Sequence, residues 1–192
     1  MKQCAKPAII NSFKELLSKK SMDKVTVKEI CTLCGVNRQT FYYYFRDIVD
    51  ILSFIIFEEL SLEIAQNRTF ETWEGGFLAT MNYFKKNSKM ILHIYNSSYW
   101  NDAKLYFADF SNMLLNNVVN ECASNAGLKL QDKDLLFIVN FYRHIFNGLM
   151  LDWVSEGMKE EPQVILRKLL LMITGSIPRS VVAFVEYDTK AL

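Results

Sequence analysis

The chain has 192 residues, with 22 Lys or Arg against 21 Asp or Glu, and half of it (51%) is hydrophobic. That composition is ample for a core and excludes a disordered or strongly charged low-complexity protein. Polar Lys2, Gln3, Lys6, Asn11 and Ser12 interrupt the start, so no signal peptide is expected. No apolar stretch is expected to reach the roughly 20 residues of a membrane span, and a cytoplasmic chain with reduced thiols is the expectation.

The near-neutral total hides an asymmetry. Residues 1–50 hold nine basic and five acidic residues, a net +4, whereas residues 51–192 hold 13 and 16, a net −3. A small basic head on a mildly acidic body fits nucleic-acid binding by the first part and assembly or regulation by the second. The division this suggests is 1–47 for the head and 48–192 for the body.

In chain order, Ile9, Phe13, Leu16 and Leu17 follow the spacing of an apolar helix stripe. Thr26 and Glu29 then form a T-x-x-E capping box, with Val25 and Ile30 placed as a hydrophobic staple. Gly35 supplies a left-handed residue to end that helix. Asn37 caps the next one, and Val36 with Phe41 repeats the staple. Two capped helices around a tight Gly turn predict a helix-turn-helix, whose second helix enters the major groove of duplex DNA. Phe41 and Phe45 share its inner face. Arg38, Gln39 and Tyr43 then suit base edges, while Lys28, Thr40, Tyr42 and Tyr44 suit phosphates. Thr26, Asn37 and Arg46 complete the candidate DNA-contact set.

The body reads as helices throughout. Asp47 and Asp50 cap a helix to about Asn67. Further helices are predicted over Phe77–Lys86, over Ser88–Ser98, from Asp102 to Asn125 with Gly127 beyond, and from Asp132 or Asp134 to Gly157. Pro162 sits where the final helix begins, and Pro178 is expected to kink or end it. Strand-like alternation with turn punctuation is absent. The expected fold is all-α, a three-helix head plus a larger helical body, with about nine helices.

The text of residues 26–52 resembles the TetR family of one-component regulators. The resemblance is carried by Cys34-Gly35-Val36-Asn37, then Thr40, Phe41-Tyr42 and Phe45. Tyr44 stands where the family often has His, and Ile48-Val49 where a Lys-Glu pair is common. Without that Lys, the phosphate contact falls to Arg46 or to helix backbone N–H groups. Residues 37–52, and Gly148 to Pro162, are similar to a subgroup that includes dihydroxyacetone kinase operon activators. The resemblance implies a homodimer formed by the last two long helices, about 134–157 and 162–186, on a palindromic double-stranded operator. Leu149, Trp153, Leu169, Met172 and Ile173 are the candidate dimer contacts. It also implies a body pocket whose ligand shifts the spacing of the two heads.

A small apolar or amphipathic effector is the expected ligand, with Phe84, Tyr95, Tyr99, Phe107, Phe110 and Phe141 as candidate walls and Arg143 or His144 as the polar anchor. Aromatic residues at helical spacing also serve as plain core, and Arg143-His144 also suits an interface or surface. Cys31 and Cys34 form a C-x-x-C, the pattern of a thiol or metal sensor. They also fall where the motif needs small buried residues, and no second Cys pair accompanies them. Cys4 and Cys122 have no evident partner. No phosphate loop, metal-ligand pair or nucleophile motif appears, so no catalytic residue, metal or cofactor is expected and the chain is not expected to be an enzyme. The leading expectation is a ligand-responsive repressor. The alternatives are a regulator, even an activator, controlled by a partner protein, and a sensor acting through Cys31 and Cys34. No membrane partner is expected.

Overall fold

A computed structural model describes residues 5–190, the side chain of Lys190 excepted, so Lys2, Gln3 and Cys4 lie outside the described residues. Every regular element in this range is helical. The order is α1 (Ala5–Leu17), a 3-10 turn (Met22–Lys24), α2 (Val27–Cys34), α3 (Arg38–Tyr44), α4 (Ile48–Phe54), a π-helical segment (Ile55–Glu59) and α5 (Leu60–Glu63). Then come α6 (Trp73–Lys86), α7 (Ser88–Tyr95), α8 (Trp100–Asn125), α9 (Asp132–Ser155), α10 (Pro162–Ile173) and α11 (Ser176–Lys190). The chain divides into two compact units, residues 1–62 with 83–107, and residues 63–82 with 108–192.

The first unit is built on α1. Ile9, Phe13 and Leu17 are fully buried, and α2 and α3 close over them with Ile30, Phe41 and Phe45. The unit continues past residue 47 because polar contacts fasten later elements to it. Glu59, at the end of the π segment, accepts from Lys14 Nζ at 2.5 Å and from Tyr83 Oη at 2.8 Å. His93 donates through Nδ1 to the Leu17 carbonyl at 2.5 Å, an oxygen that can only accept. Asp23 accepts from the Ser98 hydroxyl at 2.6 Å and from its backbone N–H at 3.0 Å. These bonds hold the Asp23 carboxyl below its ordinary pKa, the hydroxyl bond being the larger cause.

The second unit packs α8, α9, α10 and α11 around Val119, Val139, Tyr142, Ile173 and Val181. The buried phenol of Tyr142 donates to Ser176 Oγ at 2.8 Å. At the start of α6, a Cβ on Gly76 would come within 2.4 Å of the Asn67 carbonyl oxygen, so only glycine permits that approach. Between α9 and α10 the chain turns through Gly157 and Met158, at φ +77° and +57°. Met158 holds this uncommon conformation while 3% exposed, with its N–H bonded to the Trp153 carbonyl.

The predicted final helix is two helices. The break falls at Thr174-Gly175, where Gly175 has φ +71°, and Pro178 lies inside the first turn of α11. A proline there removes no intrahelical bond, so the glycine rather than the proline makes the break. A second expectation is corrected in the same region. Pro162–Thr189 is long and apolar enough by composition to qualify as a membrane span, although only 22% of its most apolar window is buried. Its apolar residues are divided between the core and an uncovered outer face.

Candidate nucleic-acid interface

The local chemistry of residues 26–45 sets the geometry of the interface. Thr26 Oγ1 accepts the Glu29 N–H at 3.3 Å, while the Glu29 carboxylate accepts the Thr26 N–H at 3.1 Å and the Thr26 hydroxyl at 2.9 Å. Lys20 also donates to Glu29 at 2.6 Å. The Lys20 bond, followed by that of Thr26, holds the Glu29 carboxyl below its ordinary value. Gly35, at φ +70°, ends α2, and the Val36 N–H returns to the Cys31 carbonyl. Asn37 Oδ1 accepts the Thr40 N–H at 2.8 Å and the Thr40 hydroxyl at 3.0 Å.

On α3, Phe41 is fully buried and Phe45 3% exposed, which turns the opposite face outward. Arg38 and Gln39 are exposed, Tyr42 is 56% exposed and Tyr43 73%. Gln39 and Tyr43 are four residues apart, as are Arg38 and Tyr42, so the outer face carries two parallel polar rows. Lys28 is exposed on α2. Tyr44 is half-buried, its ring packed edge-on against Tyr43 at 4.9 Å. Leu33, 45% exposed beside the turn, also lies at this surface, although a lone Leu carries no polar signal in the sequence.

Several candidates have other employment. The hydroxyl protons of Thr26 and Thr40 go to Glu29 and Asn37, so both threonines act as capping groups and offer a phosphate no donor in this arrangement. Asn37 is itself the cap. The expected backbone phosphate site on the next helix is also taken, since the Val49 and Asp50 N–H groups both donate to Asp47 Oδ1. Arg46 remains, its side chain 85% exposed and its nearest carboxylate, Asp50, at 3.7 Å.

The cysteines are core groups by environment. Cys31 is buried, and that burial pushes its thiol up, with Cys34 adding to the effect, which disfavours the reactive thiolate. Cys34 donates to the Ile30 carbonyl at 3.0 Å. No cluster of three metal-ligating side chains occurs among the described residues.

In the body, the ligand candidates are dispersed. In the first unit Phe84 packs on Phe107 at 5.5 Å, Tyr95 on Trp100 at 5.0 Å, and Tyr99 is half-buried. In the second unit Phe110 is 1% exposed in the core, whereas Phe141, at 54%, and His144 face outward from α9. Arg143 is half-buried beside them. The five dimer candidates are brought together. Leu149, Trp153, Leu169, Met172 and Ile173 all line one open groove of about 850 Å³ among α9, α10 and α11. Trp153, Leu169 and Ile173 form its buried floor, so they serve the subunit's own core first, while Met172 stands 82% exposed at the rim.

Comparison with known proteins agrees with this geometry. Residues 9–53 match the family model of bacterial regulatory proteins of the tetR family. Residues 71–175, more than half of the chain, match the model of a transcriptional regulator C-terminal region of that family. The chain belongs to the TetR family. It is therefore a TetR-family transcriptional regulator. The HTH-type dhaKLM operon transcriptional activator DhaS of Lactococcus lactis subsp. lactis (strain IL1403) is 28% identical over 79 residues, covering 41% of this chain and 42% of that protein. The solved structure of a dihydroxyacetone kinase operon activator DhaS superposes with a TM-score of 0.68 at 20% identity, over 95% of this chain and 98% of that one. At that identity the match speaks for the TetR fold alone. The all-α TetR architecture and the subgroup likeness read from the sequence both stand.

Proposed function

We propose that this TetR-family regulator works as a homodimer that reads a palindromic operator with Arg38, Gln39 and Tyr43, while Lys28, Tyr42, Tyr44 and Arg46 hold phosphates. The observation that carries the reading is the two-sided α3, with Phe41 and Phe45 inside and an exposed polar-aromatic face outside. Base-edge contacts then give specificity and phosphate contacts give register.

The dimer reading rests on the outer face of α9 and its neighbours. Phe137 and Phe141, at 63% and 54% exposed, share that face with Gly148, and Leu171 and Met172 on α10 are more than 80% exposed. A Cβ at Gly148 would meet nothing within 4 Å, so the subunit itself has no need of a glycine there. Glycine inside a helix costs about 1 kcal/mol against alanine, and a helix of a second copy crossing at Gly148 supplies the reason for it. Control by a small ligand follows if that ligand binds the operator-competent and incompetent forms with different affinity.

A second reading is an activator controlled by a partner protein. It takes its sign from the activator role of the Lactococcus relative, and the exposed Leu171 and Met172 would suit a partner as well as a second copy.

The test pairs selection of binding sites from random duplexes with sedimentation of the complex. Two symmetric half-sites bound by two copies are expected. A single half-site bound by a monomer overturns the homodimer, and no sequence selection overturns the docking of α3.

A further inference from the structure

The groove among α9, α10 and α11 is charged differently at its two ends. At one end its lining includes Asp152, Glu156 and Glu160, with Lys168 beside them. Lys168 Nζ bonds Glu160 at 2.7 Å, which leaves the exposed Asp152 and Glu156 without an ion pair among the described residues. At the other end the lining includes Arg179, exposed and likewise without an ion pair among the described residues. Arg179 lies between Ser176 and Ser180 on α11, and the Tyr142 phenol meets both serines, at 2.8 and 3.3 Å. Those bonds set Arg179 level with Tyr142 on α9. Asp152 stands farther along the same helix, about 15 Å away at 1.5 Å per residue, and Gly148 lies between the two levels.

Within one subunit neither end finds a counter-charge, and the apolar wall between them stays wet. Two-fold symmetry restricts what a second copy can offer, because the same patch must face itself. Laid parallel, two copies would set acid against acid and Arg179 against Arg179, which is repulsive. Laid antiparallel about an axis near Gly148, each acidic end meets the other copy's basic end. The open space where a Gly148 Cβ would stand then lets the two α9 helices approach closely. We propose that a second copy of this chain seats antiparallel in the groove, with Arg179 of each subunit paired to Asp152 and Glu156 of the other. This rests on the homodimer reading above and adds to it a register and a charge code that favours the chain's own copy.

The experiment is a charge swap on the full chain, read by analytical ultracentrifugation, with circular dichroism checking that each variant keeps its helix content. Arg179→Glu alone, and Asp152→Arg with Glu156→Arg, should each raise the dissociation constant at least about tenfold, because each turns both sets of attractions into repulsions. Mixed one to one, the two variants should form a heterodimer close to wild-type affinity, since their ends complement each other in both places. A single chain carrying all three changes should dimerise again for the same reason. All three positions are exposed, so the subunit core is untouched. Should a reversal unfold the chain, the neutral variants Arg179→Gln and Asp152→Asn with Glu156→Gln take its place. Their effects should be non-additive, because each removes the same pairs. Unchanged dissociation in both reversals, additive neutral variants, or a mixture no tighter than its components overturns the proposed register and leaves the homodimer standing. A wild-type chain that sediments as a monomer overturns both.

Discussion

The outer face of α3 and the outer face of α9–α10 are both open to solvent, yet they are made in opposite ways. The α3 face is polar and aromatic, on a helix only seven residues long whose N-terminus is satisfied by a side-chain cap. The α9–α10 face is apolar, with Phe137, Phe141, Leu171 and Met172 uncovered on long helices. The first suits a charged, hydrated duplex, which is held by hydrogen bonds and by neutralising phosphates. The second suits a surface that must lose its water, because isolated exposed hydrophobics are ordinary but a continuous patch is not. Perturbing each face should therefore give different failures, and the size of each failure tests the comparison.

The largest effect is expected beneath the DNA-facing side. Phe41 is fully buried, so Phe41→Ala should cost about 3–5 kcal/mol through lost burial and the cavity left behind. Amide hydrogen exchange should show lost protection in α1–α3 with α9–α11 retaining theirs. Equal loss across both units would mean that they unfold as one cooperative body and that the contrast does not extend to stability.

Next comes the apolar face. Phe141→Asp with Met172→Asp changes residues 54% and 82% exposed, so subunit folding should be little affected. Dimer dissociation should rise at least about 100-fold, or roughly 2.7 kcal/mol, by analytical ultracentrifugation. An unchanged dissociation constant would move the interface away from this face.

The two faces also differ in how far the sequence exposes them. The α2–α3 geometry is legible because caps are local: Thr26 with Glu29 and Asn37 with Thr40 bond within four residues, and such spacing is visible in the text. The same residues carry both capping and candidate contact roles, since the hydroxyls of Thr26 and Thr40 bond Glu29 and Asn37 in those caps. The α9–α11 groove was legible only as a set of apolar residues. Periodicity marks which residues leave water, but it does not say whether the subunit or a second copy covers them. Trp153 and Met172 look alike in that respect, although one is 3% and the other 82% exposed. The π segment leaves no local trace, and neither do the bonds of His93 to Leu17, of Lys14 and Tyr83 to Glu59, and of Ser98 to Asp23, which span up to 76 residues.

A finer contrast lies within α3 itself. Gln39→Ala should relax sequence preference at one position of each half-site by about 1–3 kcal/mol, because a base reader is lost. Tyr42→Phe removes one hydroxyl and should weaken all sequences alike. Competition binding against duplexes varied one base pair at a time separates the two. If Gln39→Ala leaves both affinity and preference unchanged, the outer face of α3 is not docked as proposed.

The smallest effect expected is a pair of opposite pH dependences, one in each unit. Asp23 in the first unit is held below its ordinary pKa by Ser98, so its ionised form is favoured by folding. That stabilisation is present above the unfolded value and is lost as pH falls through the lower folded one. Asp134 in the second unit is 8% exposed, and burial pushes its carboxyl up, with the neighbouring Asp188 adding to the shift and Lys133 opposing it. Folding there favours the protonated form. Its stabilising contribution is complete at acid pH and disappears as pH rises through the elevated folded value, which leaves a strained carboxylate at neutrality. Asp23→Asn should therefore remove stability at pH 7 and flatten the acid limb of the first unit's unfolding curve. Asp134→Asn should raise the melting temperature of the second unit at pH 7 and make little difference at pH 3. Unfolding followed between pH 3 and pH 7 by residue-resolved hydrogen exchange reads both changes in one series. If Asp134→Asn lowers stability at pH 7, the carboxylate is held by a partner that stabilises its charge, and the opposition between the two units fails at that residue.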